Sequence, residues 1–148
     1  MYDLKIINAK IVDGTGSESF YGEIGIIKDI IVEKGRNIGA SKNIFDAKGN
    51  TLCPGIIDTH THYDAQLTWD NLASPSLDLG ITTALIGNCG FTMAPCKPEH
   101  RDLNMLNLTK VEGMPYETLK EGIDWRYETY KEYLDLLDKK KLALNICS

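Results

Sequence analysis

Apolar and β-branched residues come in short runs over the first fifty positions, each closed by turn residues. Leu4 to Ile7 and Lys10 to Val12 predict two strands joined as a hairpin through Asn8-Ala9. Asp13 to Ser17 is a loop by composition. Glu23 to Ile27 and Ile30 to Glu33 flank Lys28-Asp29 as a second hairpin, a further strand is expected near Asn43 to Asp46, and Lys48-Gly49-Asn50 is a turn. Cys53-Pro54-Gly55 closes this β module, so the chain divides into a small β domain, residues 1–53, and a second domain, residues 54–148.

Beyond that boundary the pattern changes. Ile56-Ile57 leads into Asp58-Thr59-His60-Thr61-His62, and Thr82 to Ile86 leads into Gly87-Asn88-Cys89-Gly90. Two apolar runs, each ending in polar residues and separated by roughly 20 residues, have the spacing of β-α repeats in a parallel sheet. Leu103 to Lys120 shows no clean periodicity and reads as mostly loop. Thr129 to Glu132 fits a capping box, after which Tyr130, Tyr133, Leu134 and Leu137 share one helical face. Lys139 to Lys141 suit the end of that helix, and Leu142 to Cys147 predicts the next strand. The fold class is therefore α/β. The residues after Pro54 are far fewer than the about 250 of a closed β/α barrel, so a barrel is expected to be incomplete in this chain.

Composition narrows the partners. With 43% apolar and 25% charged residues the chain is that of an ordinary globular protein, and its net charge of −5 points to no nucleic-acid partner and no membrane partner. The N-terminus lacks the cationic and apolar regions of a secretory signal, which predicts a cytoplasmic protein with reduced thiols. Cys53, Cys89, Cys96 and Cys147 form no C-x-x-C pair.

The candidate chemistry starts at His60 and His62. Residues two apart in a strand point to one face, so both imidazoles can meet a single metal ion from one strand end, with Asp58 in the same parity. An H-x-H pair alone is weak evidence; the apolar run before it and the Pro54-Gly55 entrance strengthen it. Cys89 follows a predicted strand, yet a lone cysteine is more often a packed thiol than a ligand, and the residues alone leave it so. His100 reads as a solvated loop histidine, and Trp125, Tyr127, Tyr130 and Tyr133 as helix-packing aromatics. Gly14-Thr15-Gly16 lacks the lysine and helix start of a phosphate loop.

The run Cys53 to His62 resembles the P-G-x-I-D-x-H-x-H signature of the amidohydrolase superfamily, and Ile7 to Gly16 is similar to the start of that family's small β domain. More narrowly, His62-Tyr63-Asp64-Ala65-Gln66, Gly87-Asn88-Cys89-Gly90 and Glu121 to Trp125 resemble its D-aminoacylase (N-acyl-D-amino-acid deacylase) branch. The resemblance implies a small β-sandwich portion followed by the first part of a metal-dependent β/α (TIM) barrel. It implies His60 and His62 as ligands of one metal position. It also implies Cys89 as a ligand where other branches carry a carboxylated lysine, which reverses the local reading. One or two zinc ions are expected, with Asp58 and Asn88 orienting the ligands.

Two further histidines and an acid/base aspartate are implied beyond residue 148. The expected activity is hydrolysis of a linear amide, an N-acyl-D-amino acid being the small-molecule substrate. One alternative is a cyclic-amide hydrolase of hydantoinase or dihydropyrimidinase type, against which Cys89 argues. Another is that these 148 residues form a truncated, non-catalytic metal-binding fragment, inactive alone.

Overall fold

Tyr2–Ile11 form one ten-residue strand, β1, in a computed structural model that describes residues 1–148. A hairpin was expected at Asn8-Ala9. Instead Asn8 takes φ 55°, and the pairing of β1 with β2 (Phe20–Ile27) shifts register between Ile6 and Ala9. An asparagine tolerates that left-handed backbone, and the strand runs on through a bulge rather than reversing. The Asn8 side chain donates to Asp46 Oδ1 at 3.0 Å, holding the bulge.

Past the bulge β1 changes its parallel partner. Tyr2 to Ile7 pair with β4 (Ser41–Asp46), whereas Lys10 and Ile11 pair with β5 (Thr51–Leu52). On the other edge β3 (Ile30–Gly35) pairs antiparallel with β2 through the expected Lys28-Asp29 turn, giving the order β3-β2-β1-β4. The core of this sheet is small: Ala9, Ile11, Ile24 and Ala47 are buried, with Ile6, Phe20, Ile26 and Leu52 packed against them.

The chain divides into two compact units, Met1–Pro54 and Gly55–Ser148. The second contains a three-stranded parallel sheet, β6 (Ile56–Asp58), β7 (Ile81–Leu85) and β8 (Asn145–Cys147), in chain order. Gly55 explains how closely β6 approaches β7: a Cβ there would stand 2.1 Å from Thr82 Oγ1. The connection between β6 and β7 holds two short 3-10 turns, Gln66–Thr68 and Leu77–Leu79. Asp70 organises it, accepting from Leu72 N at 2.9 Å, Ser74 N at 2.8 Å and Gln66 Nε2 at 3.0 Å. Burial alone would raise its pKa, but these bonds outweigh burial and hold the carboxyl below its ordinary value.

The segment read as loop is helical: α1 spans Arg101–Glu112 and α2 spans Tyr116–Gly122. In α1 only Met105 and Leu108 are buried, while Leu103, Leu106 and Val111 are exposed. Apolar residues on every side erase the periodic signal that marks a helix in sequence. The last helix, α3 (Tyr130–Lys139), begins with the expected Thr129–Glu132 capping box. It buries Tyr133, Leu136 and Leu137, whereas Tyr130 and Leu134 stand outside the packed face. Tyr133 meets Tyr127 edge-on at 5.0 Å, and burial pushes both phenols well above the ordinary range. Around them Leu67, Ala84, Ile86 and Leu144 complete the larger core. No helix is long and apolar enough to cross a membrane.

Candidate metal centre

The parallel pair β6 and β7 ends in the two segments that carry the candidate ligands. Thr61 sets the first. It is 5% exposed, its Oγ1 donates to Leu85 O at 2.5 Å, and its amide donates to the same carbonyl at 3.2 Å. β6 ends at Asp58, so His60 and His62 lie in the loop just beyond the strand rather than within it, on either side of the Thr61 that is tied to the end of β7. Their ring centroids are 5.4 Å apart.

The second segment is the turn Gly87-Asn88-Cys89-Gly90. Gly87, Cys89 and Gly90 have φ of 80°, 57° and 73°. For the glycines this is ordinary, whereas for cysteine it is a strained backbone. The turn is held by its neighbours: Asp64 Oδ2 accepts from Gly87 N at 3.2 Å, and Asn88 Nδ2 donates to Leu85 O at 3.2 Å and to Thr61 O at 3.5 Å. So held, Cys89 Sγ stands 2.8 Å from His60 Nε2.

His60, His62 and Cys89 thus come together, each offering a ligand-type atom within 4.8 Å of the others. His60 and Cys89 are exposed and His62 is half-buried. Nε2 of His62 is buried without a hydrogen-bond partner, whereas its Nδ1 lies 2.5 Å from Glu112 Oε1. Asp58 touches the main chain of the group, accepting from His60 N at 3.2 Å. Asn88 likewise bonds backbone carbonyls, those of Leu85 and Thr61. His100 is exposed and takes no part in the cluster.

Two contributors were not singled out from sequence. Glu112 lay in the stretch read as loop, fifty positions from the histidine it meets. Asp64 is 2% exposed; besides holding Gly87, its carbonyl accepts from Tyr133 Oη at 2.8 Å. Its neighbours in the His62 to Gln66 run are anchors too: Tyr63 Oη pairs with Ser76 Oγ at 2.6 Å, and Gln66 reaches Asp70 and Ser74.

Two imidazoles and a thiol gathered at adjoining ends of parallel strands form a candidate metal centre of the amidohydrolase kind. Comparison with known proteins narrows the class. No family model matches the chain. The D-aminoacylase of Alcaligenes xylosoxydans xylosoxydans is 29% identical over 145 residues, 97% of this chain and 28% of the relative. Among solved structures, a D-aminoacylase studied for its binuclear metal centre matches with TM-score 0.77 and 27% identity, over 99% of this chain and 29% of that one. An N-acyl-D-glutamate deacylase from Bordetella bronchiseptica, complexed with zinc and a phosphonate mimic of the tetrahedral intermediate, matches with TM-score 0.69 and 26% identity, over 99% and 28% of the two chains. The resemblance to the D-aminoacylase branch of the amidohydrolases therefore holds over nearly the whole chain, which spans between a quarter and a third of the length of these relatives.

Proposed function

We propose that this chain supplies the first part of the active site of a zinc-dependent amidohydrolase acting on N-acyl-D-amino acids, with a carboxylate and a free D-amino acid as products. The carrying observation is the convergence of His60, His62 and Cys89 within 4.8 Å, in a chain similar to D-aminoacylase throughout. On this reading residues 1–53 belong to the small β domain, and residues 54–148 begin the β/α barrel.

The donor set fits zinc. Imidazole and thiolate are the ligands zinc prefers, and the orphaned Nε2 of His62 is a buried ring nitrogen in want of a partner. His60 and His62 would hold the ion from the β6 end and Cys89 from the β7 end, one or two ions being compatible with the set. When bound, zinc supplies a Lewis acid that makes water nucleophilic near neutral pH and stabilises negative charge developing on the scissile carbonyl. Thr61, Asp58 and Asn88 contribute by fixing the main chain from which the ligands project. The further histidines and the acid/base aspartate implied by the family would come from outside residues 1–148, so these residues alone are expected to bind metal without turning over substrate.

Single replacement of His60, His62 and Cys89 in the complete enzyme, with metal content and hydrolysis of N-acetyl-D-amino acids measured beside hydantoin, tests the proposal. The expected result is loss of both metal and activity, with hydantoin untouched by the parent enzyme. Full metal content and activity in all three variants overturns it.

A further inference from the structure

Glu112 ends α1, and Gly113 follows in the left-handed conformation at φ 67°. A carboxylate there sits at the negative end of the helix dipole, where cations are favoured. Helix stability therefore does not account for it. What it meets is His62: Oε1 lies 2.5 Å from Nδ1, and the two side chains are 31% and 15% exposed.

An ionised carboxylate only accepts hydrogen bonds, so the Nδ1 of a neutral His62 must carry the proton and its Nε2 must present the lone pair. Nε2 is the buried ring nitrogen without a partner. The two ring nitrogens face away from one another, which puts Glu112 behind the imidazole as seen from Nε2. Phe91, with its ring 5.6 Å from that of His62, packs beside it.

We infer that Glu112 is a positioning residue, which fixes His62 in the Nδ1–H tautomer and so delivers Nε2 as a ligand nitrogen beside His60 and Cys89. The inference rests on the metal-centre reading. Carboxylates that orient ligating histidines in this way are typically worth about 10–100-fold in metal affinity.

The test uses zinc itself, titrated into the full chain against a chromophoric chelator, together with long-range proton–nitrogen NMR of the histidine rings in metal-free protein at alkaline pH. Wild type is expected to show Nδ1–H at His62. Glu112→Leu is expected to weaken zinc binding about 10–100-fold and to mix the tautomers. Glu112→Gln is expected to fall between, because its amide oxygen still accepts from Nδ1. Glu117→Gln, an exposed carboxylate on α2, is expected to bind like wild type. Thermal midpoints should hold in both Glu112 variants, since the carboxylate they remove sits at the unfavourable end of its helix.

Equal losses in Glu112→Gln and Glu112→Leu would show simple attraction between carboxylate and cation, and would overturn the tautomer role. Wild-type affinity in Glu112→Leu, or an Nε2–H ring in wild type, overturns it as well. All three results leave the metal-centre reading standing. A wild-type chain that takes up no zinc overturns that reading, and this inference with it.

Discussion

The two units of the chain are built on opposite plans. In Met1–Pro54 long strands carry the structure: β1 alone pairs with three others, yet the buried apolar side chains are only those of Ala9, Ile11, Ile24 and Ala47. In Gly55–Ser148 the strands have three, five and three residues, and two larger buried clusters hold the unit together. Backbone pairing dominates the first, and side-chain burial with polar ties between loops dominates the second. The candidate chemistry sits in the second. A ladder fixes its residues to the pleat, whereas a loop held by Asp64, Thr61, Asn88 and Asp70 can place a side chain wherever its ties allow.

That contrast can be broken most severely at Tyr133. Tyr133→Ala removes a fully buried ring and the bond to Asp64 O. It is expected to cost about 3–5 kcal/mol. Both tryptophans, Trp69 and Trp125, lie in the second unit. Fluorescence during urea unfolding therefore reads that unit alone, while amide exchange along β1 should stay unchanged.

Asp70→Asn comes next, at about 1–3 kcal/mol near neutral pH. Its folded pKa is depressed, so its contribution is full above the ordinary carboxylate value and is lost as pH falls through the folded one. The gap between variant and wild type should accordingly close in acid, below about pH 4. A gap that widened there would refute the account of Asp70.

Thr129→Ala, which removes the α3 cap, is expected to cost about 1 kcal/mol by the same fluorescence assay. Smallest is Phe45→Lys in the first unit. Phe45 is 60% exposed in this chain. The change should move stability by no more than about 0.5 kcal/mol, measured by amide exchange in β1. A large loss would show that the first unit depends on apolar packing more than its strands suggest.

Legibility in the sequence followed the same division. β2 and β3 were readable because alternation and a two-residue turn are local signals. The end of β1 was misread because Asn8 makes a bulge, whose chemistry is also that of a turn. The capping box of α3 was plain in Thr129 and Glu132, while α1 was hidden by Leu103, Leu106 and Val111 on its outer side. His60 and His62 could be singled out as candidates from their spacing, although the strand that was to carry them ends at Asp58. Cys89 needed the resemblance, because nothing local tells a ligand thiol from a packed one. Glu112 could not be found at all, since its meaning depends on a residue fifty positions away.

The backbone at Cys89 has a further consequence. A cysteine at φ 57° is in a conformation that costs an ordinary L residue roughly 1–2 kcal/mol. Asp64 and Asn88 hold the turn through groups other than the thiol. The turn is thus a socket shaped independently of what it holds, and asparagine and aspartate are the residues that sit there with least strain. An aspartate at 89 would keep the backbone of the turn; on the proposed metal-centre reading it would exchange a soft donor for a hard one, and with it the cation favoured there. Where the donor atom stands is written across some twenty-five residues; what kind of atom it is rests on a single codon.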